Sequence, residues 1–494
     1  MRGVIAVSLF SVAIGVSACG DRITSKATDE RLNDLLVNGV DTDRQTKNNE
    51  RLEKILSKDN SVGALQEDFS GQAAGGGTAT LNALIGSAFE RNTRIGRQAQ
   101  AINLADAERL NAVFGYLPQV NITIGQDEVS QEVISTDNAV FELGEADFPV
   151  STETLRIDQP LIDLSRIFGI QLARNAQTIA EVEYIRSVRD VAFDVFDAYV
   201  VALQSDTRRE SLASRQRMVA RQVTAARNLE ATGLSDSIDL SSFGSEQAKT
   251  AADESLENSR YKRALSDLAF LSGRVVEGID ASSVSNGVLA TRNAVSEDAA
   301  VEAGLFNNPL VIASALRVVG SEIEKRQALA ADFSPVLSAY AALENDDREA
   351  SRFGGGSETS DTTVGVRLRI PLFNGQGQGI SSNPARVTVR ASALEYYNTR
   401  RELETEIRAT HARLQELNTS ISQSSRAVNL AQRALSSERR RVDAGESVEL
   451  AVASRQLRLN SVQEQRDFLR YEQIRAWGRL QYLMGVDLSK QLTR

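Results

Sequence analysis

Residues 161–273 run without a proline and reverse direction once, at Thr232-Gly233-Leu234, and much of that stretch returns later in the chain. Arg263, Ala264, Leu268, Leu271 and Gly273 recur as Arg475, Ala476, Leu480, Leu483 and Gly485, each displaced by 212 positions (475 − 263, 485 − 273). The turn glycines Gly233 and Gly445 keep the same spacing. One supersecondary unit is therefore used twice, and the repeat limits the folds open to the chain more than any composition figure does. Gly233 stands 73 positions after Pro160, and Gly445 stands 74 after Pro371. At about 1.5 Å of rise per residue, a helix that long spans roughly 110 Å.

A helix of that length reads as a coiled coil, a membrane span or a repeat, not as an ordinary core element. Tyr184, Val188, Val191, Val195, Ala198 and Ala202 are spaced as the seam of a supercoiled helix. Ile185, Ala192, Phe196, Tyr199 and Leu203 form a second seam beside it. Two adjacent seams let one helix meet neighbours on two sides, as in the wall of a hollow cylinder, with Asp190, Asp194 and Asp197 left for water.

The formal charge of −10 speaks against a nucleic-acid partner. With one histidine, His411, and one cysteine, Cys19, no metal cage or thiol–imidazole pair can be assembled. His411 reads as helix surface, and so does Arg439-Arg440-Arg441. Gly354-Gly355-Gly356 and residues 375–379 lack the strand-to-helix context and the lysine of a phosphate loop. Glu402 and Glu406 lie one helical turn apart, as solvated surface pairs do. No catalytic residue, metal or cofactor is expected.

Residues 1–18 read as a signal peptide: Arg2 gives a positive start and Val4 to Val16 an apolar stretch too short to span a bilayer. Val16-Ser17-Ala18-Cys19 resembles the bacterial lipobox, which makes Cys19 the expected lipidation site. Gly20 follows it, which favours sorting to the outer membrane. Residues 19–78 read as a lipidated N-terminus and linker ending in Gly75-Gly76-Gly77.

Two similar halves follow, 79–290 and 291–486, with a short tail at 487–494. Helical patterns run from Thr80 to Phe114 and from Ala299 to Phe333, each ending just before a proline, Pro118 or Pro335. The period then becomes two. Strands are expected at about 118–133 and 151–161 in the first half and at about 335–345 and 361–373 in the second. Val120, Ile122 and Ile124 alternate with polar residues; Val364, Val366, Leu368 and Ile370 alternate with Gly365, Arg367 and Arg369. The acidic and glycine-rich stretches 135–149 and 344–360 read as exposed loops. The long hairpins occupy 162–273 and 379–485. Strands of about ten residues with one apolar face suit a membrane barrel, but about eight are needed to close one. Several chains must therefore share it.

In this order of elements the chain resembles the TolC family of outer-membrane efflux proteins, over roughly residues 78–486. The resemblance is carried by the doubled helix, strand, strand and helix order, Asn308-Pro309, Arg369-Ile370-Pro371-Leu372-Phe373, and the paired turns Ala231-Thr232-Gly233-Leu234 and Asp443-Ala444-Gly445-Glu446. It implies a mainly α fold with a small β part: a homotrimer in which a long α-helical barrel joins a twelve-stranded transmembrane β-barrel, four strands per chain. It further implies a passive duct in the outer membrane that reaches into the periplasm. Its partners would be a periplasmic adaptor (membrane fusion) protein and an inner-membrane RND or ABC transporter, in a tripartite efflux or type I secretion system. Thr232, Gly233, Leu234, Ala444, Gly445 and Glu446 would form the adaptor-contacting tips. Asp236, Asp239 and Glu449 are gate candidates, and Ala451 departs from the acidic residue common at its position in the family. Arg367 and Arg369 would face the barrel lumen. The competing reading is a lipid-anchored coiled-coil structural or adhesion rod without a pore.

Overall fold

The computed structural model describes residues 77–134, 144–231, 237–280, 295–350, 355–372, 382–486 and 488. The signal segment, Cys19 and the turn residues Thr232, Gly233, Leu234 and Asp236 lie outside the described residues, as does the side chain of Asp239. In chain order the elements are β1 (Thr78–Ala79), α1 (Leu81–Arg91), α2 (Thr93–Phe114), β2 (Gln119–Val133), β3 (Gly144–Ile162), α3 (Leu164–Ala231), α4 (Ser237–Ser272) and β4 (Gly278–Ile279). The second half supplies α5 (Glu297–Asn307), α6 (Pro309–Phe333), β5 (Val336–Arg348), β6 (Ser357–Arg369), α7 (Ser382–Asp443) and α8 (Glu449–Leu483).

The outgoing helices are long, 68 residues in α3 and 62 in α7, and the returning ones, α4 and α8, are 36 and 35 residues. The missing length is made up by α2 and α6. Over the half nearer the strands α3 packs against α2 and α6, and over the far half against α4 and α8. Two equivalent cores sit where these stacks meet. In the first, Val191, Val195, Phe196, Tyr199 and Leu203 of α3 are buried with Leu84 and Ile85 of α1 and Leu268 of α4. In the second, Leu403 and Ile407 of α7 are buried with Val301, Val311, Leu480 and Leu483. Each fully buried large apolar side chain contributes about 1.5–3 kcal/mol. Ile185, on the expected second seam, stays 47% exposed and packs on neither core.

The expected helices 80–114 and 299–333 are each broken in two, and an asparagine makes both breaks. Asn92 Oδ1 accepts from the Arg94 backbone N–H at 3.0 Å, capping α2, while its Nδ2 donates to the Leu271 carbonyl at 2.9 Å. Asn308 does the same 216 positions later (308 − 92), accepting from Leu310 N–H at 2.9 Å and donating to the Leu483 carbonyl at 3.0 Å. The amide therefore caps one helix start and satisfies an orphan carbonyl at another helix end. Among the described residues no single helix is long and apolar enough to cross a membrane. The pair α5–α6, bent by 47°, passes on composition, but it packs onto α3 and α7.

The four long strands form one antiparallel sheet in the order β2-β3-β5-β6. They are longer than the alternation of apolar residues shows: β3 begins at Gly144, β5 continues to Arg348 and β6 starts at Ser357. Parts of the two expected loops are thus strand. In β5 and β6 the added residues are polar on both faces, so no period was visible there and the backbone ladder alone extends them; in β3 Ala146, Phe148 and Val150 alternate with Glu145, Asp147 and Pro149, and Phe148 is buried.

Two readings of the helix surface are corrected. Asp190, Asp194 and Asp197 are not left to water: Asp190 accepts from Tyr482 Oη at 2.6 Å, Asp194 from Arg94 at 2.5 Å and Asp197 from Arg475 at 2.7 and 3.0 Å. His411 is buried at 8% exposure, its Nε2 3.1 Å from the Val295 carbonyl. Arg439, Arg440 and Arg441 are exposed, as expected of helix surface; Arg439 also donates to Gln456 across the hairpin at 3.1 Å, while Arg441 lies 3.6 Å from Glu438 within the same helix. An Asn308→Ala variant should lose both bonds at the break and be destabilised by about 1–2 kcal/mol. A fall in thermal unfolding temperature, matched by Asn92→Ala, would check it.

Candidate functional site

Register divides the sheet into two faces of opposite character. Ile122 opposes Leu155, Leu155 opposes Leu343, and Ala341 opposes Val364, so one face collects Val120, Ile122, Ile124, Leu155, Ile157, Leu343, Val364, Val366 and Leu368. All of these are exposed, Val364 by 77% and Ile124 by 73%. Glu153 is the charged interruption of this band in β3. The other face carries Asn121, Arg156, Asp158, Tyr340, Arg367 and Arg369 in adjoining rows. In β3 the residues of this polar face are half-buried while their apolar neighbours are exposed, as on the crowded inside of a curled sheet.

The polar face is ordered around one ring. Arg156 chelates Asp158 at 2.7 and 2.9 Å. Its guanidinium also lies 5.5 Å from the Tyr340 ring centroid, and that of Arg367 lies 4.7 Å from it. Gly365, directly opposite Tyr340, leaves the space the ring occupies: a Cβ there would sit 2.9 Å from the phenol carbon and oxygen. A glycine inside a strand is a sequence signal of such close approach. The stack itself was not visible, because it depends on the pairing of three strands.

At the far end of α7 the chain reverses through Ala444 and Gly445. Glu446 N–H donates to the Arg441 carbonyl at 2.8 Å and Gly445 N–H to that of Val442 at 2.9 Å. Gly445 has φ +76°, a left-handed value that a side chain disfavours, so this turn requires glycine. Glu446 and Glu449 are exposed beside it. A carboxylate that sequence reasoning missed, Glu438, is buried behind the turn, accepting from Ser447 Oγ at 2.5 Å and lying 3.8 Å from Arg455. The structure thus brings Ala444, Gly445, Glu446 and Glu449 together at one tip. Arg367 and Arg369 lie on the polar face of the sheet.

Between the two ends, charged groups bridge helices of different repeats. Asp197 raises the Arg475 pKa above its ordinary value by accepting two hydrogen bonds, outweighing desolvation. Burial, and then the bond to Asp190, push the Tyr482 hydroxyl up, and its ring stacks on Phe193 at 4.9 Å.

An antiparallel four-stranded sheet with one apolar exposed face, fed by helices of more than sixty residues, defines the class of outer-membrane channel folds. Solved structures agree. The outer-membrane channel OprN superposes with a TM-score of 0.70 at 14% identity, covering 83% of this chain and 90% of that one. VceC from Vibrio cholerae gives 0.68 at 18% identity, covering 82% and 96%, and the open-state channel MtrE from Neisseria gonorrhoeae 0.64 at 14%, covering 82% and 89%. Residues 301–486 match the model of the outer membrane efflux protein family. The chain is also similar to the protease secretion protein PrtF of Dickeya chrysanthemi, 23% identical over 416 residues, 82% of this chain and 85% of that one.

Replacing Arg475 and Asp197 singly and together by alanine should reveal a coupling of about 1 kcal/mol, since both groups are partly solvated. Strictly additive losses in a thermal double-mutant cycle would show that the pair does not join α8 to α3.

Proposed function

We propose that this protein is a passive outer-membrane export duct, assembled from three copies and engaged at its helical tips by a periplasmic adaptor that links it to an inner-membrane RND or ABC transporter. One observation carries the reading: the sheet is open along both β2 and β6 while most of the large apolar side chains on one face are exposed. In lipid an unpaired strand edge is not tolerated, so the edges must be joined by other copies. Three chains of four strands close a twelve-stranded barrel with the arginine face inward. The fold shared with outer-membrane channels and the kinship with a protease secretion protein support export as the task. Lipidation at Cys19 would add an anchor.

The repeat supports the same assembly. Tyr482 of α8 packs on Phe193 of α3; its counterpart in α4 is Phe270 (482 − 212), which is 80% exposed. Arg263, the counterpart of Arg475, is exposed as well. The surface they match by repeat is α7 at Glu402, Thr405 and Ala409, counterparts of Asp190, Phe193 and Asp197, all exposed. Within one chain α4 makes no substantial contact with α7, so we place this contact between neighbouring copies.

Two measurements test the assembly. Cysteines at 270 and 405 in a Cys19-free background should cross-link chains into dimers and trimers under oxidation, with neither single cysteine doing so; a monomer band alone from the pair would count against it. An aspartate at Leu368 should block barrel insertion, at about 2–4 kcal/mol or less per lipid-facing charge in each chain, and leave the protein out of the membrane fraction. A rod without a pore would tolerate that substitution.

A further inference from the structure

We infer that the arginines gathered at Tyr340 form a fixed-charge station that binds multivalent oxyanions inside the duct. The inference rests on the proposed pore, since only then does the polar face meet cargo. Of the charged groups on this part of the face, Arg156 and Asp158 neutralise one another through their two hydrogen bonds. Arg367 stacks on Tyr340 and attracts Asp158 at longer range, and among the described residues neither it nor Arg369 comes within ion-pair distance of a carboxylate. A guanidinium held by a ring face keeps its N–H fork free, and such a fork is suited to carboxylate or phosphate oxygens.

The station is preorganised by the backbone. Tyr340 is flanked in register by Asp158 on β3 and Gly365 on β6, and the missing Cβ of Gly365 lets the ring lie across the strand. The acidic residues of the same face lie at the other end of the sheet: Asp127, Glu344, Asp346 and Asp361. Positive charge therefore marks the end that joins the helices, and negative charge the end that bears the loops. An anion arriving through the helical part meets the arginines first, and the acidic end disfavours its entry from outside. In a closed ring of three copies the station holds six guanidiniums outside any ion pair among the described residues, two from each chain.

The test is calorimetric titration of the detergent-held trimer at low salt, with tripolyphosphate in one arm and poly-L-glutamate in the other. Saturable binding is expected in at least one arm, weakened at least about tenfold by Arg367→Gln with Arg369→Gln. The two arms distinguish phosphate-bearing from carboxylate-bearing anions. Arg367→Lys should restore much of the affinity, and Arg348→Gln, at the opposite end, should leave it unchanged. Tyr340→Leu keeps every charge but frees the guanidiniums, so an intermediate loss is expected even if the double variant fails to assemble. No binding to the wild-type trimer, binding indifferent to the double variant, or equal affinity for polylysine would overturn the inference. Particle imaging separates this from the reading beneath it: hollow trimers that bind no anion defeat the station alone, whereas compact monomers defeat the duct.

Discussion

Unpaired backbone at the two edges of the β2-β3-β5-β6 sheet is the demand that the rest of the molecule answers. Each strand of the pair β2 and β6 offers a row of N–H and C=O groups to one side, and the adjoining apolar face forbids water as the general solution. A soluble protein would cover such a sheet with its helices. Here the helices lead away from the strand ends instead, because Pro118, Pro160, Pro335 and Pro371 mark the crossings between strand and helix and the hairpins need their apolar seams for one another. The sheet is thereby left with two open edges, which the proposed assembly closes with other copies.

The repeat supplies the geometry for that pairing, and its two halves have diverged where they must. Asn92 and Asn308 do the same work at the same place in both halves, which keeps the helical stacks equivalent. The helix faces beyond them differ. Phe193 and Asp197 on α3 are large and charged and receive Tyr482 and Arg475 within the chain, whereas Thr405 and Ala409 on α7 are small and leave room for a residue such as Phe270. One contact is closed internally and its twin is left open, the pattern expected of a ring built from doubled subunits.

Much of this was legible in the sequence for physical reasons. A seam of period 3.5 running past Tyr184 to Ala202 admits only a long packed helix, and alternation in Val364 to Ile370 admits only a strand with one apolar face. The ends of β5 and β6 were hidden because Asp346 and Glu358 carry no hydrophobic contrast between the faces, whereas the start of β3 does alternate, through Ala146, Phe148 and Val150, beside the acidic Glu145 and Asp147. The break at Asn92 was marked by residue type alone, whereas the one at Asn308 also carried Pro309, a helix-start signal that the continuous pattern 299–333 passed over. At the candidate sites the turn glycine Gly445 was readable from its chemistry. Tyr340 and Glu438 were not, since each acquires its partners from elements brought together only by folding: Arg156 and Arg367 in one case, Ser447 and Arg455 in the other.

The carboxylates misread as solvated surface explain how seams of this length find their register. An apolar heptad seam resembles itself after seven residues, so a helix of 68 residues could slide by about 10 Å against a neighbour with little loss of hydrophobic contact. Charged pairs remove that freedom. A slip of one heptad would separate Asp197 from Arg475 and Asp190 from Tyr482, leaving partly buried groups without partners, which costs more than the pair contributes when made. Glu257, with only 5% of its side chain exposed, takes up the same task between Arg208 of α3 and Arg260 of α4, and Glu438 does so near the tip. Such pairs add little to stability, yet they hold stacked helices to one alignment, the one the proposed assembly needs if tip and sheet are to meet their counterparts in neighbouring copies.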